Sequence, residues 1–550
     1  MKNVYRSIAV LITVLLLSGF VRSDNDIYFQ MSKSIDLFGR IYKEVALNYV
    51  DNVNPEEFMN AGIKGMLSAL DPYTVYLGED KKEDISLLTD GKYGGIGATV
   101  GVQNENVTIV DLIEGYPAQR QGMRIGDVIK KIDSVSVSRG NYNELSKYMK
   151  GEPGTELNIE VEREGFDEPI IFKLIREEIE IKNLSFAGFY PENSNNVYLK
   201  LSGFTRTAGE EVKNALLNLN KQKEVESIVL DLRGNPGGLL DAAIDVSEKF
   251  LENKQLIVSV VGRDTLDKKE YFSNEQPIAG NTKLVVLVDN GSASASEIVA
   301  GAIQDHDRGV IVGDQSFGKG LVQTLIPLSY DTSLKITTGK YYTPSGRCIQ
   351  KIDYAKENDV IIPITSLNSS EFKTDNQRTV YSGGGILPDS IISNSSDSKQ
   401  MKHLLAQGLF FKFATNYFNV NNTANLAEIK DDEIFKEFLS YIDEQSFEYK
   451  TRSEKLIEDL YKTAEESELN ADILNQINNL KKEIVKERIR ELEKNKEEIL
   501  GKIKEEIAAR INGDKGRIMQ SLINDKQFAT AIKLLKDEKI YNSFLAFGKF

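Results

Sequence analysis

Histidine is nearly absent from this chain, with two in 550 residues. That scarcity constrains any hydrolytic chemistry, because a Ser-His-Asp arrangement needs an imidazole close to its serine. Cysteine is scarcer still. Cys348 stands alone, which excludes an intrachain disulfide framework and a cysteine-based zinc site. A surplus of basic residues is also missing: the formal net charge is −15, and no basic run is long enough to reverse it. Nucleic acid is therefore excluded as the main partner. Long apolar runs are absent with one exception, Ile8 to Leu17, interrupted only by Thr13. Lys2 and Arg6 precede it and Ser18, Gly19 and Ser23 follow, the pattern of an export signal over residues 1–23. The run is shorter than the roughly 20 residues of a spanning helix. Val21-Arg22-Ser23 is a poor small-x-small cleavage site, so an uncleaved anchor is the alternative fate. In both cases the body of the protein is expected beyond the cytoplasmic membrane, in the periplasm or cell envelope. No cysteine lies near the segment, which argues against a lipoprotein anchor.

The remaining length exceeds one comfortable hydrophobic core, and several domains are expected. Residues 27–88 read as helical, with Ile35, Phe38, Ile41, Tyr42 and Val45 at three- and four-residue spacing. Asn54-Pro55-Glu56-Glu57 reads as an N-cap with proline at the first helical position, and Leu70-Asp71-Pro72-Tyr73 ends that helix. Over residues 89–175 short β-rich runs (98–102, 107–112, 128–132, 157–163) alternate with glycine turns. Two signatures stand out there: Tyr93-Gly94-Gly95-Ile96-Gly97-Ala98, and Gly126-Asp127-Val128-Ile129 after Pro117-Ala118. This segment resembles a PDZ domain. Independently of that name, successive N–H groups of a glycine turn such as Gly95, Ile96, Gly97 and Ala98 can hold a C-terminal carboxylate, and the adjacent strand edge can pair with a peptide. Across 176–400 strands and helices alternate, which predicts an α/β core with buried, partly parallel strands. Residues 401–550 turn helical and charged. Ile473, Ile477, Leu480 and Ile484 keep helical spacing, then the pattern slips by one before Ile489, which predicts a long amphipathic helix but no strict coiled coil.

The chemistry concentrates in Gly291-Ser292-Ala293-Ser294-Ala295-Ser296-Glu297-Ile298 and in Ser316-Phe317-Gly318-Lys319-Gly320. The three serines lie between an apolar strand and a helix. Such a turn exposes a side chain while the next amide points toward developing negative charge; spacing alone does not choose among them. His306 lies twelve residues beyond Ser294 in a helical stretch, about 18 Å along the axis, and His403 sits in the distal helical region. That geometry disfavours a histidine base and leaves a lysine. Lys319 qualifies, provided desolvation or nearby positive charge keeps its amine neutral. If 321–325 is a strand, Gln323 shares a face with Lys319 and can orient it. The turn Asp231-Leu232-Arg233-Gly234-Asn235-Pro236-Gly237-Gly238 between strand and helix suits oxyanion stabilisation, and it lacks the Gly-Lys-Ser/Thr ending of a phosphate loop. Ser316-Phe317-Gly318-Lys319 also fits S-x-x-K, the motif of penicillin-binding proteins. Glycines bracket this lysine, however, no Lys-Thr-Gly occurs, and the only Ser-Asp-Asn borders the export signal.

In order along about 71–389, these motifs together with Tyr342-Thr343-Pro344-Ser345-Gly346-Arg347 and Gly383-Gly384-Gly385-Ile386-Leu387-Pro388-Asp389 resemble the carboxy-terminal processing peptidases, tail-specific serine proteases with a Ser-Lys centre and an embedded PDZ domain. The resemblance implies a crotonase-like α/β core and cleavage of extracytoplasmic proteins near their C-termini. In that family the lysine follows the serine by 25 positions, which makes Ser294 the implied nucleophile and Lys319 the base. Gln323 falls at the orienting glutamine, and Ala295 with Gly237 or Gly238 at the oxyanion positions. Asp305 matches a family aspartate but, three turns from Ser294, reads as structural. The implied partners are protein substrates with free C-terminal tails, with a homo-oligomer and an activating adaptor as further possibilities. No metal or organic cofactor is required. The helical extension lies outside the shared pattern, and a catalytically silent PDZ scaffold on a protease-like core is the rival reading.

Overall fold

The computed structural model describes residues 24–546 apart from 104, 265, 358–359, 364–369, 394–397, 422–424 and 445–451. The expected export signal lies outside the described residues. Among these, no helix is long and apolar enough to cross a membrane. The chain forms two compact units, one of residues up to Glu79 with Gln323–Thr337, the other of Asp80–Val322 with Thr338–Phe550.

In the first unit the helix Asp24–Asn48 precedes the helix Pro55–Leu67. Asn54 caps the latter as its sequence predicts, Oδ1 accepting from Glu56 N at 3.0 Å, with Pro55 opening the first turn. The two helices meet through Tyr42, which stacks on Phe58 at 5.7 Å and donates its hydroxyl to Pro55 O at 2.9 Å. Ile27, Ile35, Phe38 and Ile41 of the first helix stay exposed. Val75–Leu77 pairs antiparallel with Ser333–Lys335.

The second unit is built on a six-stranded sheet, in the order Leu184–Phe189, Asn196–Leu201, Ser227–Asp231, Lys283–Val288, Val310–Gly313, Ser390–Ile391. Only the first pairing is antiparallel. Ser227–Asp231 is buried throughout, and so is Lys283–Val288 beyond its first residue. Their continuous apolar runs are what a strand covered on both faces requires. Helices Ala208–Gln222, Leu240–Glu248 and Ala295–Asp305 cover one face, around Val212, Phe250, Leu284 and Ile298. Helices Lys526–Lys536 and Glu538–Leu545, the end of the helical extension, cover the other. Phe528, Ile532, Leu535 and Tyr541 there meet Tyr198, Val229, Val285 and Val310. The extension thus supplies the third layer of this sandwich.

Within the same unit, Ala98–Gln103, Asn106–Leu112, Val128–Ile132, Glu156–Glu162 and Ile170–Ile175 form a separate antiparallel sheet, with Ala98–Gln103 at its edge. The earlier helices of the extension have their own core, including the stacked rings of Phe410 and Phe438 at 5.3 Å. They contact the PDZ-like sheet closely: a Cβ on Gly126 would lie 2.4 Å from Thr415 Cγ2. The expected long amphipathic helix is Ala471–Lys494, and a further helix, Lys496–Ser521, follows it and is kinked at Asn512 and Gly513.

Candidate active site

Three turns converge at the carboxyl ends of the parallel strands. After Lys283–Val288, the chain turns through Gly291–Ser294 into the helix Ala295–Asp305, whose residues are all buried. Burial separates the three serines that spacing leaves equivalent. Ser292 Oγ is buried and donates to Leu232 O at 2.9 Å; Ser296 Oγ is buried and donates to Asn235 O at 2.9 Å. Ser294 alone is half-buried, at the apex, with φ 54 and ψ −111. A positive φ is uncommon for a residue with a side chain and marks a turn held from outside.

Much of that hold comes from Glu297, which is fully buried. Its Oε2 accepts the backbone N–H of Ser294 at 2.8 Å and of Lys319 at 2.9 Å. Its Oε1 accepts Ser316 Oγ at 2.6 Å and Gly318 N–H at 2.7 Å. One carboxylate therefore ties the serine turn to the lysine loop, and a single oxygen is shared by the two backbone nitrogens. Burial pushes its carboxyl above the usual range, while the donors around it pull the other way. Tyr341 adds a second tie, donating its hydroxyl to Ser294 O at 3.1 Å and also bonding to Lys319 O. Neither residue was identified from the sequence as part of the site. For Glu297 a signal exists: Ser294-Ala295-Ser296-Glu297 is a capping-box pattern ahead of an apolar run. For Tyr341, 47 residues from Ser294, there is none.

The glycine turn closes the third side. Gly237 has φ +97, and a Cβ there would lie 2.6 Å from Ala293 O and 2.9 Å from both Ser294 Cβ and Ala295 N. Only glycine fits that approach. Asp289 Oδ1 joins the two turns, accepting Gly234 N–H at 2.8 Å and Gly291 N–H at 3.0 Å. Asn235 O accepts Ala293 N–H at 3.0 Å. The two glycines differ: Gly237 N–H is donated to Asn235 Oδ1 at 2.9 Å, whereas Gly238 N–H and the helix-opening Ala295 N–H have no acceptor among the described residues. Lys319 is half-buried between Gly318 and Gly320. Gln323, on the strand Leu321–Pro327, stands in the first unit and donates Nε2 to Thr337 Oγ1 at 3.3 Å.

The histidines are elsewhere. His306 ends the serine helix with both ring nitrogens engaged, Nδ1 with Asp375 Oδ2 at 2.8 Å and Nε2 with Leu256 O at 2.7 Å. Asp305 is spent on Arg347 at 2.8 Å and Ser345 N–H at 3.0 Å, a buried structural pair. In the PDZ-like sheet, Gly95, Ile96, Gly97 and Ala98 lead into the open edge strand. Gly97, with φ +75, lies where a Cβ would meet Tyr116 Cβ at 2.5 Å.

Known protein families match this organisation segment by segment. Peptidase family S41 matches residues 195–360, a PDZ domain 108–163, the C-terminal helical domain of a probable PDZ-protease 400–535, and the N-terminal domain of the activating protease CtpB 20–81. A carboxy-terminal-processing protease of Bartonella bacilliformis is 39% identical over 58% of this chain and 73% of its own length. Carboxy-terminal processing protease CtpB of Bacillus subtilis is 33% identical over 58% and 67%. Among solved structures, a photosystem II D1 C-terminal processing protease aligns over 64% of this chain and 85% of that one, at 26% identity and a TM-score of 0.36. The chain belongs to the carboxy-terminal processing proteases, PDZ-bearing serine proteases of peptidase family S41.

Proposed function

We propose that this protein is an extracytoplasmic endopeptidase that cleaves proteins near their C-termini through a Ser294–Lys319 dyad. The observation that carries the reading is the Glu297 oxygen shared by the Ser294 and Lys319 backbones. Neutral Lys319 takes the Ser294 hydroxyl proton as Oγ attacks the scissile carbonyl. The oxyanion meets the N–H groups of Ala295 and Gly238, each donor worth roughly 3 kcal/mol in the transition state. Gly237 serves by its lack of a side chain, since its own N–H is engaged within the turn. Collapse of the intermediate passes the proton from Lys319 to the departing amine and leaves an acyl ester on Ser294. Water then attacks that ester, with Lys319 again accepting a proton. Gly95–Ala98 would hold the substrate's terminal carboxylate while its tail pairs with the edge strand Ala98–Gln103. The exposed apolar side chains of Asp24–Asn48 favour a second copy or an adaptor as a further partner.

Mass spectrometry of an unstructured, apolar-tailed protein incubated with wild type, Ser294→Ala and Lys319→Ala tests this. Cleavage by wild type alone, lost when the substrate tail is made charged, is expected. Cleavage surviving in Ser294→Ala removes the assignment, and an inert wild type favours the silent scaffold.

A further inference from the structure

The end of the helical extension grips the glycine turn at one polar point. Asp525 caps the helix Lys526–Lys536, its Oδ1 accepting Phe528 N–H at 3.0 Å, and presents Oδ2 to Arg233 Nη1 at 2.6 Å. Gln527 accepts from the same Nη1 at 2.9 Å. Gln527 is itself fixed, its Nε2 donating to Ile392 O at 2.7 Å and Asp314 Oδ2 at 3.2 Å. The other side of the guanidinium lies on Asp231, Nη2 reaching Oδ2 at 2.6 Å. Lys200 Nζ holds Arg233 O at 2.7 Å.

Arg233 opens the turn whose later residues approach Ser294. Burial alone presses the Asp231 carboxyl upward, but Arg233 and Lys200 outweigh it and hold it below the usual range. A buried ion pair is a weak source of stability, because desolvation offsets its attraction; its better-attested use is to fix one register. Here the apolar contacts of Phe528, Ile532 and Leu535 already attach the helix. The charged grip adds a defined position for Arg233.

We infer that Asp525 and Gln527 are positioning residues of the reaction: by clamping Arg233 they set the Gly237-Gly238 turn against Ser294, and the C-terminal helices act as a built-in activator of the oxyanion site. This inference rests on the peptidase reading above.

Asp525→Asn tests it, since asparagine keeps the helix cap and removes the carboxylate facing Arg233. Arg233→Lys, which keeps the charge but not the fork, serves as the second variant. Active sites are counted with a fluorophosphonate probe. The expected result is kcat per titrated serine lower by about tenfold or more, as a displaced oxyanion donor requires, with KM within about twofold. Amide exchange should quicken over residues 232–240 and stay unchanged in the core strand Lys283–Val288. Unchanged kcat per site, or faster exchange through the whole core, overturns the clamp. A wild type that neither cleaves nor labels at Ser294 removes the peptidase reading, while exchange at 232–240 still decides the clamp.

Discussion

Glu297 shows how much of this site rests on one side chain that would never touch substrate. Each of its oxygens accepts two donors. Replacement by glutamine therefore turns an NH2 group toward two donors whichever way the amide faces. A buried donor left without an acceptor costs about 1–3 kcal/mol, and relaxation would pull the Ser294 turn from the Lys319 loop. Glu297→Gln is expected to lower kcat by about a hundredfold with KM little changed, and to reduce stability by about 2 kcal/mol. Steady-state kinetics and urea unfolding of the same preparation check both; unchanged kcat would show that the serine and lysine loops hold their places without this carboxylate. Much of the site was legible in the sequence because its parts are local. A serine turn before an apolar helix and a glycine run after a strand carry their backbone geometry in their residue types. What sets Ser294 apart from Ser292 and Ser296 was not legible from spacing, because it depends on which hydroxyls face Leu232 and Asn235 across the fold.

At the scale of elements, the PDZ edge strand carries a detail its motif does not predict. Tyr142, ahead of the short helix Leu145–Met149, donates its hydroxyl to Val100 O at 3.1 Å, in the middle of Ala98–Gln103. A peptide adding to that strand needs its backbone groups, so the tyrosine is a competitor within the domain. Tyr142→Phe removes the competing donor while keeping the ring. A net hydrogen bond of about 1 kcal/mol predicts roughly fivefold tighter binding of an apolar-tailed peptide, read by fluorescence anisotropy. Equal or weaker binding would mean that the peptide never uses that carbonyl. The strands here fell close to their predicted bounds, since alternating β-branched residues between glycine turns specify them locally. The helical extension was harder. Phe528, Ala531, Ile532 and Leu535 announce an amphipathic helix, but the surface that receives them lies nearly three hundred residues earlier in the chain, as the 294-residue separation of Arg233 and Gln527 shows.

Over the whole molecule, the extension touches both the sheet that carries Ser294 and the PDZ domain, so the two functional regions share one helical support. The second contact contains an unusual charge arrangement. Asp111, on the PDZ strand Asn106–Leu112, faces Asp514 and Arg517 of the kinked helix Lys496–Ser521. Burial, then the like charge of Asp514, push its carboxyl up to about 6, against the pull of the Leu112 amide and Arg517. Among the described residues its buried Oδ1 has no hydrogen-bond donor. A carboxyl whose pKa is raised on folding binds its proton more tightly in the native state. The native state is then favoured most below the unfolded value near 4, and loses that advantage as pH climbs from about 4 to about 6. Above that range the ionised group remains a constant cost. Because the site is partly open to solvent, the loss is discounted to on the order of 1 kcal/mol. Asp111→Asn removes the titration, so its stability should vary less than wild type between pH 5 and pH 8 and exceed it at pH 8. Urea unfolding at the two pH values decides this. Parallel pH dependence in both proteins would show that the PDZ–helix contact titrates through other groups; a difference confined to this window would make the seam between PDZ domain and extension looser at neutral pH than in mild acid.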